Sequence, residues 1–430
     1  MQAIVVTFDR LATTALGCYG NEWIETPHLD RLASQAVVFD RHFAEHVGDS
    51  AGMGWSTGRL PTEASARPFE FTSSWSTLLE SGGVELRLVN EFEILPWSMA
   101  LRKTSRTLIG SRHEPDPQPD EIPFAHLVKA ARELLAEPRG EAPRIMWLHS
   151  AGVPEPWLAP EGFATLYFDE YEERGCEMAS VTRDNWGTHP AAYAGYVSLL
   201  DHWLGELVTA VEAVAQTEPT LLIIAAARGG DWMKLPIEHA KQPSSEEASS
   251  PISEEVVEER VRAREPMIPR EVIPLSDTIT RTPLLLRLFD QGLFTSEFAG
   301  TRSNRLVQTA DLSATLLDYF QLPVNQSLSE GRSLLRELAE THPSRERICF
   351  TDGAGSRGIR TAEWSCLVDD AAAANEAESA VKLFAKPEDI WEVNDISGQQ
   401  REITASLVAR LNEILPAAKT EVRPSGPSPF

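Results

Sequence analysis

The sequence predicts an α/β fold, a three-layer α/β/α sandwich on a mainly parallel mixed sheet, followed by a small carboxy-terminal α+β subdomain. Three apolar runs are typical of buried strands, at residues 3–8, 145–149 and 221–227. Between the second and third runs, apolar residues recur in steps of three and four over 197–214, which predicts an amphipathic helix. Strand, helix and strand in this order favour parallel pairing with helices on the sheet faces.

Size and charge limit the organisation and the partners. A chain of 430 residues predicts one large domain and one smaller one, which we place at 1–340 and 341–430. The formal net charge of -25 argues against nucleic acid and anionic membranes as partners, because both attract Lys and Arg. No apolar stretch approaches the roughly 20 residues that a membrane span needs.

Cysteine usage and the amino terminus bear on the compartment. The four cysteines are widely spaced, with no pair at metal-ligand spacing, and are expected to be reduced thiols. Strand-forming sequence begins at Met1, without the pattern of a signal peptide. We therefore expect a cytoplasmic protein.

The other elements follow from local signals, in chain order. Pro27 begins a helix predicted over 26–35, because proline at the first helical turn loses no needed hydrogen bond. Further helices are predicted at 74–80, 124–135, 310–320 and 399–415, and further strands at 37–39, 84–89, 282–289, 347–351, 358–368 and 380–385. The last three strands and the closing helix form the predicted subdomain.

Two segments are predicted to lack regular structure. Residues 103–123 are rich in Pro, Arg, Ser and Asp without a sustained period, which predicts a long surface loop. Residues 242–265 change from Ser, Pro and Glu to dense charge of both signs, which is typical of a solvated, flexible insertion. This acidic insertion also raises the hypothesis of an interaction module that acts through it.

A carboxylate follows the first strand directly. Asp9 stands where the apolar run ends, and open α/β sheets bind ligands beyond the carboxyl ends of their strands. The alternative is a strand-end carboxylate that only caps the following turn.

The first strand and its surroundings resemble the amino-terminal block of the sulfatase family, within the alkaline-phosphatase superfamily. The residues that carry this likeness are 7–11, 16–21 and 26–33. Further similar blocks occur in the family's order at 194–205, 279–288 and 308–317. The resemblance implies the family's fold over nearly the whole chain.

The resemblance also implies what a hydrolytic site would need. Sulfate-ester hydrolysis in this family uses a hard divalent cation held by carboxylates and amides, which supplies charge stabilisation that a neutral pocket cannot. Asp9 matches the first metal ligand. The second ligand position holds Arg10 or, in the family's other spacing, Thr14, and the third pair of ligands falls on Ala227 and Arg228.

The nucleophile block of the family is altered as well. Aligning on Thr57 and Gly58 places Gly48 where the family has the Cys or Ser that becomes formylglycine. Ser50 is a nucleophile only if the loop is shifted by two residues, and a serine there is more typical of a helix N-cap. Glu155 stands where the family supplies a histidine to the sulfate.

These losses predict that the metal site is gone, and no cofactor is expected. We expect a guanidinium to occupy the vacated metal position and to pair with Asp9. The old cleft is then expected to hold a small anion through Arg10, Arg228 and Lys241. His239 and Lys241 stand near the family's later His and Lys, and the alternative for both is a surface role in a loop. The favoured function is a catalytically inactive, sulfatase-like binding or scaffolding protein, with a protein partner or a second copy of itself.

A second hypothesis keeps catalysis. In it the chain is a sulfuric- or phosphoric-ester hydrolase with a rebuilt site, which requires Ca²⁺ or Mg²⁺. Its residues would be Asp9, Ser50, Asp231, His239 and Lys241. The two hypotheses differ in metal content and in turnover of aryl esters.

Overall fold

The fold was determined as a computed structural model. It describes residues 1–48, 51–59, 74–91, 105–109, 118–138, 140–167, 189–232, 275–289, 298–323, 330–339, 344–374 and 380–416.

The described residues form strands and helices in alternation along most of the chain. The strands are β1 Gln2–Arg10, β2 Val37–Phe39, β3 His42–Phe43, β4 Glu85–Asn90, β5 Ser105–Leu108, β6 Arg144–Gly152, β7 Thr220–Arg228, β8 Leu284–Phe289, β9 Thr301–Ser303, β10 Val307–Gln308, β11 Arg347–Thr351, β12 Ser356–Thr361, β13 Trp364–Asp369 and β14 Val381–Ala385. The α-helices are α1 Pro27–Ala33, α2 Met53–Thr57, α3 Ser74–Ser81, α4 Pro123–Ala136, α5 Glu161–Ala164, α6 Pro190–Ala215, α7 Asp277–Thr280, α8 Ala310–Tyr319, α9 Leu334–Leu338, α10 Asp370–Ala374 and α11 Arg401–Ile414.

An eight-stranded mixed sheet forms the centre, in the order β5-β4-β6-β1-β7-β8-β2-β9. Strand β1 lies between β6 and β7 and runs parallel to both, while β8 is antiparallel to β7 and β2. Because β1, β6 and β7 are buried along nearly their whole length, their sequences are continuous apolar runs. The predicted mainly parallel mixed sheet is confirmed.

Helices cover both faces of this sheet. On one face, α1, α4 and α6 pack against side chains such as Ile4 and Val6 of β1. On the other face, α2, α3, α8 and α9 pack against Ala3 and Val5. The alternation of β1 residues between two apolar cores is the three-layer sandwich that the sequence predicts.

A separate antiparallel sheet, β11-β12-β13-β14, follows the main sheet, and α11 covers one of its faces. The prediction of one strand over 358–368 is wrong, because β12 and β13 form a hairpin that turns between Thr361 and Trp364. The turn was missed because residues 361–364 are Thr-Ala-Glu-Trp and contain none of the Gly, Pro, Asn or Asp residues that mark a turn.

The predicted loop over 103–123 is also wrong in part, because Ser105–Leu108 is edge strand β5, paired in parallel with β4. Pairing with a neighbouring strand supplied order that the local sequence does not indicate. Among the described helices, none combines the length and hydropathy needed to cross a membrane. The described cysteines Cys18, Cys349 and Cys366 are free thiols.

Candidate functional site

The carboxyl ends of the three central strands meet at one edge of the sheet. Arg10 of β1 is in register with Gly152 of β6 and with Arg228 of β7. Gly152 has a φ of 73°, and a Cβ there would overlap the carbonyl oxygen of Arg10. That carbonyl accepts a hydrogen bond from the backbone nitrogen of Val153 at 3.0 Å. The backbone that carries Asp9 is therefore fixed from both sides.

The carboxylate of Asp9 is paired with a guanidinium. Nη2 of Arg228 donates to Asp9 Oδ2 at 2.8 Å, and Nη1 of the same side chain donates to the carbonyl oxygen of Val47 at 3.0 Å. Nε of Arg10 lies 3.8 Å from Asp9 Oδ2. The Arg10 side chain is 45% exposed, whereas that of Arg228 is 24% exposed. One carboxylate thus faces two cations, of which Arg10 is open to solvent.

A divalent cation does not fit this set of donors. Among the residues at the family's metal-ligand positions, Asp9 alone has a carboxylate, and a cation beside it would lie close to two guanidinium groups. Like charges at such distances repel by several kcal/mol even at moderate dielectric, about 4 kcal/mol at 4 Å. Within the described ranges, no group of three or more His, Cys, Asp or Glu residues could hold a metal ion.

The position aligned with the family's nucleophile is closed. A Cβ on Gly48 would overlap the carbonyl oxygen of Asp352, which lies in the turn between β11 and β12. This turn is tied to the same segment, because the backbone nitrogen of Val47 donates to the carbonyl of Thr351 at 3.2 Å. The carboxylate of Asp352 accepts hydrogen bonds from the backbone nitrogens of residues 354–356, which fixes the turn. A side chain at this position therefore requires the turn to shift.

The other two family ligand positions are occupied by half-buried Thr14, which is hydrogen-bonded elsewhere, and by buried Ala227. Oγ1 of Thr14 accepts a hydrogen bond from the indole nitrogen of Trp232 at 3.0 Å. The carbonyl oxygen of Thr14 accepts a second one from Nδ2 of Asn21 at 2.7 Å. Ala227 is 1% exposed and belongs to an apolar core. Neither residue contributes an oxygen ligand to the edge of the sheet.

A set of packed aromatic rings lies behind the strand ends. Tyr193 stacks on Trp232 with ring centroids 5.2 Å apart, and Trp232 stacks on Trp23 at 5.9 Å. Trp157 meets Tyr193 edge-on, and Tyr167 meets Trp23 in the same way. Trp157, Tyr193, Trp232 and Tyr167 are at most 5% exposed, so these rings form core rather than a sugar-binding platform.

Part of the predicted site lies outside the residues that the structure describes. Ser50, His239 and Lys241 lie outside the described residues, and so does the insertion at 242–265. Asp231 is half-buried in the turn after β7. The structure therefore brings together Asp9, Arg10 and Arg228 of the predicted set.

Two further groups lie near this edge: His149, a strand-end histidine that the sequence places toward the cleft or in a local hydrogen bond, and Glu91, which was not singled out from the sequence. Nδ1 of His149 lies 2.8 Å from Oγ1 of Thr7, and burial lowers the pKa of His149 to about 4, so this imidazole is neutral at pH 7. Glu91 directly follows β4 and accepts a hydrogen bond from the nitrogen of Ala151 at 2.8 Å. Burial raises the pKa of Glu91 to about 7. A carboxylate just after a strand is the signal that identified Asp9, and it applies equally to Glu91.

The comparisons with known proteins agree with the predicted family. The model of the family described as Sulfatase matches residues 2–322. Iduronate 2-sulfatase of Mus musculus is 37% identical over 76 residues, which are 17% of this chain and 13% of that protein. Steryl-sulfatase of Homo sapiens is 34% identical over 82 residues, which are 19% of this chain and 14% of that protein. These matches span about a seventh of the length of each relative.

Solved structures match over a much larger share of the chain. A complex of Ps i-CgsB with k-i-k-neocarrahexaose has a TM-score of 0.66 at 17% identity and covers 96% of this chain and 92% of that one. BT4656 in complex with D-glucosamine-2-N,6-O-disulfate has a TM-score of 0.66 at 15% identity, covering 96% of both chains. The phosphonate monoester hydrolase of Agrobacterium radiobacter has a TM-score of 0.63 at 15% identity, covering 96% and 95%. At these identities the matches establish the shared fold.

Proposed function

The chain belongs to the sulfatase family, and we propose that it binds an anionic group at the edge of its central sheet without hydrolysing it. It then acts as a binding or scaffolding protein. The observation that carries the proposal is the guanidinium of Arg228, which contacts both Asp9 and the carbonyl of Val47. The residue that resembles a metal ligand is thus neutralised by a cation that belongs to the chain.

The nucleophile position gives independent support. Gly48 has no side chain that could attack an ester, and the carbonyl of Asp352 occupies the space where one would begin. Restoring a reactive group would require a shift of backbone rather than a rotation of a side chain. The two requirements of the family's reaction, a hard cation and a nucleophile, therefore fail for separate physical reasons.

The charge of the site favours an anion. Two guanidinium groups face one carboxylate, and the more exposed of them, Arg10, is only weakly engaged at 3.8 Å from Asp9. A planar guanidinium with free donors matches the oxygens of sulfate or phosphate in a bidentate geometry. Arg10 is therefore the residue through which the anion would bind.

Catalysis is tested first, on full-length protein purified without chelators. We expect no bound Ca²⁺ or Mg²⁺ by elemental analysis and no turnover of an aryl sulfate or an aryl phosphate. The Asp9→Ala variant should behave as the wild type does. Hydrolysis that Asp9→Ala abolishes would establish the rebuilt hydrolase and refute the proposal.

Anion binding is tested by calorimetric titration with sulfate and with phosphate at constant ionic strength. Arg10→Gln should weaken binding about tenfold, which corresponds to the loss of one charge-assisted contact. Arg132→Gln is the matched control, because Arg132 is 47% exposed and is also ion-paired, with Glu206. Equal loss in both variants would mean that the anion responds to overall charge and not to this site.

A further inference from the structure

Exposed apolar side chains are concentrated in one turn of the carboxy-terminal region. Among the described residues, six large hydrophobic side chains are prominently exposed, and three of them lie within residues 390–393. They are Ile390 at 46%, Trp391 at 38% and Val393 at 76% exposure. Single exposed apolar residues are normal on a protein surface, but adjacent ones form a patch that indicates an interaction site. We call residues 390–393 the apolar turn.

Buried contacts hold the apolar turn in place. Glu392 lies between the exposed residues, has a φ of 54° and is 4% exposed. Its carboxylate accepts a hydrogen bond from the backbone nitrogen of Asp277 at 2.9 Å and lies 3.1 Å from Nζ of Lys386. A residue other than glycine adopts a positive φ only where the surrounding structure enforces it, and such residues cluster at functional positions.

A second carboxylate fixes the far side of the apolar turn. The side chain of Asp389 accepts hydrogen bonds from the backbone nitrogens of Val393 at 3.0 Å and Asn394 at 2.9 Å. The apolar side chains are therefore displayed on a backbone that is already ordered. A surface ordered before binding loses less conformational entropy when a partner docks.

The surroundings of the apolar turn are acidic. Within residues 386–395 the carboxylates of Glu388, Asp389 and Asp395 are at least partly exposed, whereas the only cation, Lys386, has a side chain 1% exposed. Glu363 is exposed as well. It lies next to this segment, because its carbonyl accepts a hydrogen bond from the backbone nitrogen of Lys386 at 2.8 Å. The patch thus combines an apolar centre with a negatively charged rim.

We propose that the apolar turn docks a protein partner through a basic amphipathic segment, with apolar residues on one face and Lys or Arg beside them. An apolar centre excludes water and carries the affinity, while complementary charge at the rim selects the partner and speeds association. A second copy of this chain would bring the same acidic rim and a further charge of -25, which opposes pairing. Anionic membranes and nucleic acid are repelled for the same reason. This docking surface is independent of the anion site.

The test uses the full chain and three helical peptides that share one apolar face and differ in net charge, positive, neutral or negative. We expect the positive peptide to bind most tightly by fluorescence anisotropy. Replacing the apolar residues (Ile390→Ser with Val393→Ser) should weaken its binding about tenfold, as truncation of central interface residues does. Glu388→Lys should also weaken it. Leu166→Ser is the matched control, because Leu166 is 56% exposed but lies outside the apolar turn. The Leu166→Ser variant should bind the positive peptide as tightly as the wild type does.

Each other result overturns the proposal. Absence of binding, equal binding of all three peptides, or unchanged affinity in the apolar-turn variants would show that the patch does not recognise a basic segment. Light scattering that finds a dimer in the wild type and a monomer in the apolar-turn variants would assign the surface to self-association. Binding to anionic vesicles that the same variants abolish would assign it to a membrane.

Discussion

The closure of the nucleophile position leads to a prediction about Gly48→Ala. The residue adopts no positive φ, so alanine meets no backbone strain there, and its whole effect is steric. The added methyl group would overlap the carbonyl oxygen of Asp352 and would lie 3.1 Å from Cε1 of His46. Both neighbours belong to a paired segment, because His46 is bridged to Thr351. The methyl group can fit only if the turn of residues 351–356 moves.

The cost follows from this overlap. Adding a methyl group to a closely packed position costs typically about 1–3 kcal/mol. The obstacle at Gly48 is a backbone carbonyl, which cannot rotate away as the end of a flexible side chain can. We expect Gly48→Ala to lower the free energy of unfolding by about 2 kcal/mol, measured by urea denaturation. Gly230→Ala is the matched control, because Gly230 follows β7 near the same site and a Cβ there meets nothing within 4 Å. Its stability should stay within about 0.5 kcal/mol of the wild type.

Equal stability of the two variants would refute the reasoning, since it would mean that the turn does not close on Gly48. The same contact predicts the outcome of Gly48→Cys. A cysteine adds a Cβ at the same place, so the variant should be destabilised to a similar extent and should show no turnover of an aryl sulfate. Turnover in a stable Gly48→Cys protein would contradict both the steric argument and the proposed loss of catalysis.

Three further predictions concern buried side chains. Burial raises the pKa of Glu45 from 4.5 to about 7, so the folded state holds its proton more tightly than the unfolded state does. Relative to Glu45→Gln, the wild-type free energy of unfolding should therefore fall by about 3 kcal/mol as the pH rises from 4.5 to 7, measured by urea denaturation at several pH values. Asp201→Ala should cost about 1–2 kcal/mol by thermal unfolding, because its carboxylate accepts hydrogen bonds from the first turn of α1, at 3.0 and 2.7 Å. Trp232→Phe keeps the ring stack but removes the donor to Thr14, and should cost about 1 kcal/mol in the same assay.

Local sequence predicts the fold better than it predicts the site. The central strands could be predicted because burial on both faces leaves an unbroken apolar run, as in β1 and β7. Asp9 could be singled out because a carboxylate after such a run stands out. Strand β5 could not be predicted, since its order comes from pairing with β4 and not from its own residues.

The contacts that decide the chemistry join distant parts of the chain. An arginine at position 228, where the resemblance implies a metal ligand, predicts a pair with Asp9. Nothing in the local sequence indicates that the same guanidinium also binds the carbonyl of Val47. The closure of Gly48 by Asp352 joins residues about 300 positions apart, and a glycine alone does not indicate what lies beside it. A backbone carbonyl has no sequence signature, so contacts of this kind emerge only from the folded chain.

The guanidinium of Arg228 is attached covalently to the strand that neighbours Asp9, which gives the edge of the sheet a permanent positive charge. Occupancy by a dissociable ion depends on the concentration of that ion in the medium. The charge of Arg228 is instead in place beside Asp9 as soon as β1 and β7 pair. Assembly of the sheet and completion of the charged edge are consequently one event. Chelators, competing ions and changes in ion supply have nothing to remove from that contact.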